Sequence, residues 1–178
     1  MSITHDLHKI IGGELKKAMI ATNRIDDLRL DPACDGSQNI PLFIGSSKSN
    51  ATECCNADVL ITKDDKIKLI LEIEEANNKP TQICGKFLTS VISDTHIHIK
   101  TDNKPHIFHE EAVFVQVVDT SKLKHEKSSK MSQFKIIEDQ LKELLPLRNI
   151  RSYRLFPING AADTNNIAQL VEYIMTKA

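Results

Sequence analysis

The sequence predicts an α/β domain with a mixed sheet flanked by helices. Stretches with apolar residues at helical spacing alternate with short strand-like stretches, in the order helix, strands, helix, strand, helix, strand, helix. Ala112 to Val118 is a nearly continuous apolar run, the pattern of a central strand buried on both faces. The 178 residues, 40% hydrophobic and 26% charged, are enough for one globular domain spanning the whole chain, 1–178.

Residues 3–22 read as a helix, because Ile3, Leu7, Ile10, Ile11, Leu15, Ala18 and Met19 recur along one face. Residues 23–56 are turn-rich, with Asp35-Gly36 and a Ser/Asn-rich run around one short apolar piece, Leu42-Phe43-Ile44. Two strands follow, near Asp58 to Thr62 and Ile67 to Glu74, joined by the polar turn Lys63-Asp64-Asp65-Lys66. Lys79-Pro80-Thr81 starts a helix with Pro in its first turn, and Ile83, Phe87, Leu88, Val91 and Ile92 mark its buried face. Gln82, Lys86 and Thr89 lie on another face of it. A third helix runs from Ser132 to Leu145 and stops before Pro146. A strand covers Ser152 to Ile158. The last helix starts near Asp163-Thr164 and buries Ile167, Leu170, Val171 and Ile174.

Composition narrows the function. No apolar run approaches the roughly 18 residues of a membrane span, and Met1 to Asp6 lack the basic start and apolar core of a signal peptide. A cytoplasmic protein with no membrane partner is expected. The four cysteines (Cys34, Cys54, Cys55, Cys84) have no CxxC spacing and read as free thiols. Phosphate-cradling glycine loops, nucleophile elbows and HExxH motifs are absent. Aromatic content of 4%, with no Trp, argues against a stacking platform for single-stranded nucleic acid. The formal charge of −1 means that any duplex-binding role needs affinity supplied from elsewhere.

Strand periodicity turns Glu72 and Glu74 to one side, beside Ile70, and Ile67, Leu69, Leu71 and Ile73 to the other. If the hairpin closes with Lys63 opposite Ile67, Asp58 falls directly across from Glu72. Paired positions put Cβ atoms about 4.5–5.5 Å apart, where like charges repel. A hard divalent cation removes that repulsion, and Mg²⁺ takes one or two carboxylates plus phosphate oxygens. The alternative is a solvated glutamate face. Glu14, three residues past Ile11, intrudes on the buried stripe of the first helix and is a further candidate, though a boundary glutamate explains it equally well.

Ala57-Asp58, a hairpin, then Leu71-Glu72-Ile73-Glu74, set between an N-terminal helix and a following helix, resembles the PD-(D/E)XK nuclease core. The resemblance spans about residues 3–120 and implies a restriction-endonuclease-like αβββαβ core. Ala57 stands where the motif has proline, and Glu74 where it has lysine. Residues 72–87 are also similar to the small catalytic subunit of heterodimeric type IIS restriction endonucleases, in which a larger subunit recognises the site and nicks the other strand. The resemblance implies Asp58 and Glu72 as Mg²⁺ ligands, with the Ile73 carbonyl as a further one. Mg²⁺ there would polarise the scissile phosphate and lower the pKa of the attacking water. Glu74, or a nearby lysine, would orient that water. Lys79 or Lys86 supplies the missing cation, and Gln82 matches a polar residue beside the active site of some members. The implied partners are double-stranded DNA and a larger DNA-recognition subunit. A stand-alone repair or junction nuclease, and a non-catalytic assembly subunit, are the rival readings.

Three further groupings are candidates of lesser weight. His96 and His98 share a strand face near His106 and His109, which suggests either zinc or, more simply, a polar outer face backed by Ile97 and Ile99. Lys122, Lys124, His125, Lys127 and Lys130 form a basic loop, and Arg148, Arg151 and Arg154 a second cluster. Each is open to phosphate contact or to neutralising nearby acids.

Overall fold

A computed structural model describes residues 6–75, 78–97, 103–123 and 127–178. Helix α1 (Asp6–Ala21) leads into strand β1 (Leu28–Leu30), then β2 (Ile40–Phe43), β3 (Glu53–Ala57), β4 (Val59–Lys63) and β5 (Lys66–Glu74). Helix α2 (Pro80–Ile92), β6 (Thr95–Ile97), β7 (Pro105–Asp119), α3 (Lys127–Glu143), β8 (Ile150–Ile158) and α4 (Thr164–Lys177) follow. The expected α/β architecture is present: a mixed sheet with four flanking helices. Among the described residues no helix is long and apolar enough to cross a membrane.

The strand order is β1-β4-β5-β7-β6-β2-β3, with β8 also paired to β7. Strand β7 is long enough to serve two neighbourhoods. Its first residues pair antiparallel with β6, and its second part lies parallel between β5 and β8. Strand β4 runs antiparallel to both β1 and β5, and β7 is parallel to β5; with β2, β3 and β6 set aside, the succession is helix, three strands, helix, strand.

Alternation along β5 and β7 divides the core in two. Leu69, Leu71, Ile73, Val113, Val115 and Val117 meet the apolar stripes of α1 (Leu7, Ile11, Leu15) and α4 (Ile167, Leu170, Ile174). Ile70, Phe114 and Val118 face α2 (Ile83, Phe87, Val91) and α3 (Phe134, Leu141). Glu72 and Gln116 lie on this second face, opposite one another in the β5–β7 register.

Several expectations need correction. The turn-rich segment 23–56 holds three strands; β1 spans three residues, too few for a period to show. The hairpin closes one residue tighter than expected, with Lys63 opposite Lys66 and Thr62 opposite Ile67. Asp64 and Asp65 both take positive φ, as a two-residue turn demands. An extra residue, Lys68, then shifts the ladder, so that Ile61 pairs Leu69 and Val59 pairs Leu71. The expected register is thus recovered beyond the bulge, where Asp58 and Glu72 lie. The bulge also turns Ile67 onto the α2 face, away from Leu69.

His96 and His106 do not form an outer face. They are buried cross-strand partners, and their ring nitrogens lie 2.8 Å from the carbonyl oxygens of Pro41 and Asp65. His98 and Ile3 lie outside the described residues. Helix α3 begins a turn earlier than expected, and Leu88, Ile92 and Leu144 are exposed. The four cysteines are free thiols.

Helix α1 sits tightly on the 3-10 turn at residues 32–34. A Cβ on Gly12 would lie 2.4 Å from the Cys34 carbonyl oxygen, whereas one on Gly13 would meet nothing within 4 Å. Gly12→Ala is therefore expected to lower stability by about 1–3 kcal/mol through overpacking. Gly13→Ala, in the same helix, should gain roughly 0.5–1 kcal/mol from propensity alone. Urea denaturation of the two variants checks this; equal effects would mean that α1 does not depend on this close approach.

Candidate metal and catalytic site

The site forms where β5 outruns its neighbour. Strand β4 pairs with β5 only as far as Val59–Leu71, so residues 72–74 lack a strand on that side. Asp58, at the corner between β3 and β4, takes over: its Oδ2 accepts a 2.6 Å hydrogen bond from the Ile73 N–H. The N–H and carbonyl of one strand residue point to the same side, so the Ile73 carbonyl also leaves β5 towards Asp58. The Asp58 main-chain oxygen is itself held, accepting from the Asp31 N–H at 3.0 Å.

Glu72 has no exposed surface, and its Oε2 accepts from the Lys86 ammonium at 2.7 Å. Helix α2 delivers that lysine across the sheet face, so of the two lysines proposed to stand in for the motif's own, Lys86 reaches the carboxylates. Lys79 is exposed at the N-terminal cap of α2, and Gln82 is exposed one turn before Lys86. Glu74 is part-buried, and its Oε1, like Oε1 of Glu72, is buried with no hydrogen-bond partner among the described residues. Each such orphan costs about 1–3 kcal/mol, which marks these atoms as awaiting a partner.

Glu14 does not join this group. It lies about half exposed in the α1–α4 groove and pairs with Lys17 at 2.7 Å. The α1 residue that does is His8. Its main-chain N–H and its Nδ1 contact Glu75 Oε1 at 2.9 and 2.8 Å, and its Nε2 lies 3.6 Å from Asp58 Oδ2. Sequence reading missed both His8 and Glu75. The available signal was His8 at three residues before Ile11 and seven before Leu15, on the buried stripe of α1.

Gln116 is the second omission. It is fully buried beside Glu72, its Oε1 accepts from the Tyr153 hydroxyl at 2.8 Å, and its Nε2 has no partner among the described residues. A lone polar residue inside the apolar run 112–118 was the clue. The other groupings stand apart. Arg148 pairs with Asp94, Arg154 lies 3.6 Å from Glu138, and Arg151 donates to the Glu110 carbonyl. Of the basic loop, Lys122 reaches the Glu75 carbonyl at 3.4 Å, while Lys124 and His125 lie outside the described residues.

Four carboxylates (Asp58, Glu72, Glu74, Glu75) thus share the neighbourhood with two cations, His8 and Lys86. The formal balance is −4 + 2 = −2 with all of them ionised. The titrations respond accordingly. Burial, then the Asp58 charge, pushes Glu72 up to about 8 against the opposing pull of Lys86. Burial also raises Glu74. For His8, burial opposes the charge, but Asp58 and Glu75 outweigh it and lift the imidazole to about 9. Lys86 is likewise disfavoured by burial and held cationic by Glu72, Asp58 and Glu74. As the side chains stand, no three His, Cys, Asp or Glu among the described residues converge into a metal-holding group. The observation that fits a cation is the pair of orphaned carboxylate oxygens of Glu72 and Glu74.

Comparison of the chain with protein-family models, curated proteins and solved structures finds no match.

Glu72 and His8 both bind their protons more tightly in the folded chain than at their ordinary values of 4.5 and 6.5. The folded state therefore holds more protons than the unfolded one between about pH 5 and 9, and stability falls as pH rises through that window. The Glu72 part is complete below 4.5 and lost as pH passes about 8; the His8 part is complete below 6.5 and lost through about 9. Calorimetric melting in EDTA should show the melting temperature dropping by several degrees from pH 5 to 9. Glu72→Gln should flatten the lower half. A wild-type curve that rises over this range would contradict the assignment.

Proposed function

We propose that this chain is a Mg²⁺-dependent phosphodiester hydrolase of the PD-(D/E)XK kind, the subunit that cuts one strand of duplex DNA at a site chosen by a larger partner. The observation that carries the reading is Glu72: a fully buried carboxylate with one orphaned oxygen, flanked by Asp58 and Glu74 and faced by the Lys86 ammonium. Oxygen donors of this type suit a hard divalent cation. Its charge would offset the repulsion that the Asp58 carboxylate exerts on Glu72 and Glu74.

In this reading Asp58 and Glu72 hold the cation, with the Ile73 carbonyl on the same side of β5. Bound there, Mg²⁺ supplies Lewis acidity towards the phosphate and eases ionisation of water. Lys86, which donates to Glu72 in this structure, would be freed if a cation took its place and could then offset charge developing on the phosphate. Glu74 accepts the proton of the attacking water. Its pKa, raised by burial, makes it a better acceptor than an ordinary glutamate. His8, held by Glu75, keeps Asp58 in place without touching the phosphate. The resemblance to a type IIS restriction subunit rests mainly on residues 57–90, of which Ala76 and Asn77 lie outside the described residues.

A second reading, a non-catalytic assembly subunit, has two observations in its favour: Lys86 already neutralises Glu72, and the Ile73 N–H already occupies Asp58. Titration calorimetry with Mg²⁺ separates the two, since a self-satisfied ion pair has no use for the cation. Asp58→Asn keeps an acceptor for the Ile73 N–H, and Glu72→Ala removes a buried charge. Each should reduce strand nicking to under about 1% of wild type without lowering the melting temperature by more than a few degrees. Substantial residual nicking in either variant, with its melt unchanged, would sink the site assignment.

The partner follows from charge. The chain carries a net −1, and Arg148, Arg151 and Arg154 are engaged by Asp94, the Glu110 carbonyl and Glu138. With 24 acids against 23 Lys and Arg, the chain offers no net positive charge to displace phosphate counterions. Purified protein with Mg²⁺ should therefore cut a duplex weakly and without sequence preference. Adding a basic, site-reading subunit should restore site-specific nicking by raising the local concentration of phosphate. Tight, site-specific double-strand cleavage by the chain alone would favour a stand-alone nuclease.

A further inference from the structure

The acids and Lys86 leave one buried group of the same sheet face without a role. Gln116 stands opposite Glu72 across the parallel β5–β7 ladder, so their side chains leave the sheet on the same face, one strand apart. It has no exposed surface. One end of its amide is fixed: the carbonyl oxygen accepts from the Tyr153 hydroxyl at 2.8 Å. Tyr153 is itself clamped, stacked on Phe114 and edge-on to Phe87 of α2. Among the described residues, the other end, the Nε2 donor, is buried without a partner, as is the Oε1 acceptor of Glu72, its register partner on β5.

A buried apolar strand has no reason to keep an amide that satisfies only half its hydrogen-bonding capacity. A leucine or methionine would fill the space and remove the cost of burying an unpaired N–H. The half-satisfied state is explained if Gln116 completes its bonding only when Glu72 reorients. Glu72 now spends Oε2 on Lys86. Once a divalent cation replaces the ammonium, the carboxylate needs one oxygen on the cation and a donor for the other. An outer donor of this kind fixes the orientation of a ligating carboxylate.

We propose that Gln116 is a positioning residue of this site: pinned by Tyr153, its amide donates to Glu72 and holds the opposite carboxylate oxygen towards a divalent cation. The inference rests on the cation-binding reading above. It extends that reading to β7 and β8, strands that contribute none of the acids.

The test is calorimetric titration of Mg²⁺, and of Mn²⁺ as a second probe, into wild type, Gln116→Met and Tyr153→Phe. Methionine matches the size of glutamine and lacks the donor, and Tyr153→Phe removes the anchor alone. Gln116→Met should weaken cation binding about 10–100-fold while its metal-free melting temperature stays level or rises. Tyr153→Phe should shift affinity the same way by a smaller factor. In nicking assays the loss should appear as a higher Mg²⁺ requirement, with rate recovered at saturating Mg²⁺, which a packing defect would not produce. If wild type binds the cations and both variants bind them equally well, the role for Gln116 is overturned while the cation site survives. If wild type itself binds neither ion, the cation reading fails and this inference falls with it. A Gln116→Met variant that melts lower and keeps wild-type affinity would assign the amide to packing.

Discussion

An ionised carboxylate with no exposed surface is costly to hold, and Glu72 is such a group in the middle of the sheet face that α2 covers. The arrangement around it answers that cost. The Lys86 ammonium lies at 2.7 Å, and the group's affinity for its proton is raised as well. The position of α2 follows from the same constraint. Ile83, Phe87 and Val91 bury one face of that helix, while the face carrying Lys86 is directed at the end of β5. Removing Lys86 alone would leave an uncompensated carboxylate in the interior, the costly case for buried ion pairs, whereas removing Glu72 leaves an ammonium whose side chain is more than a third exposed.

The second constraint is a missing strand. A ladder position left empty in a sheet normally goes to water or to an edge. Here the carboxylate of Asp58 fills it by binding the Ile73 N–H. That single bond brings an acid from the β3–β4 corner to the end of β5 and leaves Asp58 beside Glu72 in register. His8 and Glu75 support it from the α1 side, and the close approach of Gly12 to Cys34 sets how far α1 can descend.

The acids were legible in the sequence because strand period fixes which side chains share a face, and β5 is long enough for the period to be read. The α/β class was legible from the long apolar run of β7 and from apolar residues recurring at helical spacing in the helices. What escaped has local causes. The hairpin was misaligned at its tip, because a bulge at Lys68 cannot be seen in composition, yet the two shifts cancel at Asp58. Three short strands were lost in segment 23–56, where three to five residues do not establish a period. Glu14 was misplaced because helical spacing places a side chain on a stripe without saying which neighbour covers it; the α1–α4 groove leaves it half exposed. His8 was passed over although it sits on that stripe, and Gln116 although it interrupts an otherwise apolar strand. In both, the informative feature was one polar residue where the pattern called for an apolar one.

Those two misses share a logic with the acids. Among the described residues, half-satisfied buried polar groups gather in the region where β5, β7 and α2 meet. Glu72 and Gln116 each have one end bonded and one end open, and Glu74 and Asn78 contribute further unpaired oxygens near the same strand end. A folded chain selected for stability alone would close such gaps with apolar side chains, at a gain of about 1–3 kcal/mol for each orphan removed. Their concentration around the excess negative charge is the pattern expected when stability has been given up for ligand binding. Lys86 then takes on a second meaning. Besides neutralising Glu72, it would, under the proposed cation reading, set the threshold a divalent cation must overcome, so that cation affinity and the stability of the metal-free fold would be two readings of one electrostatic balance.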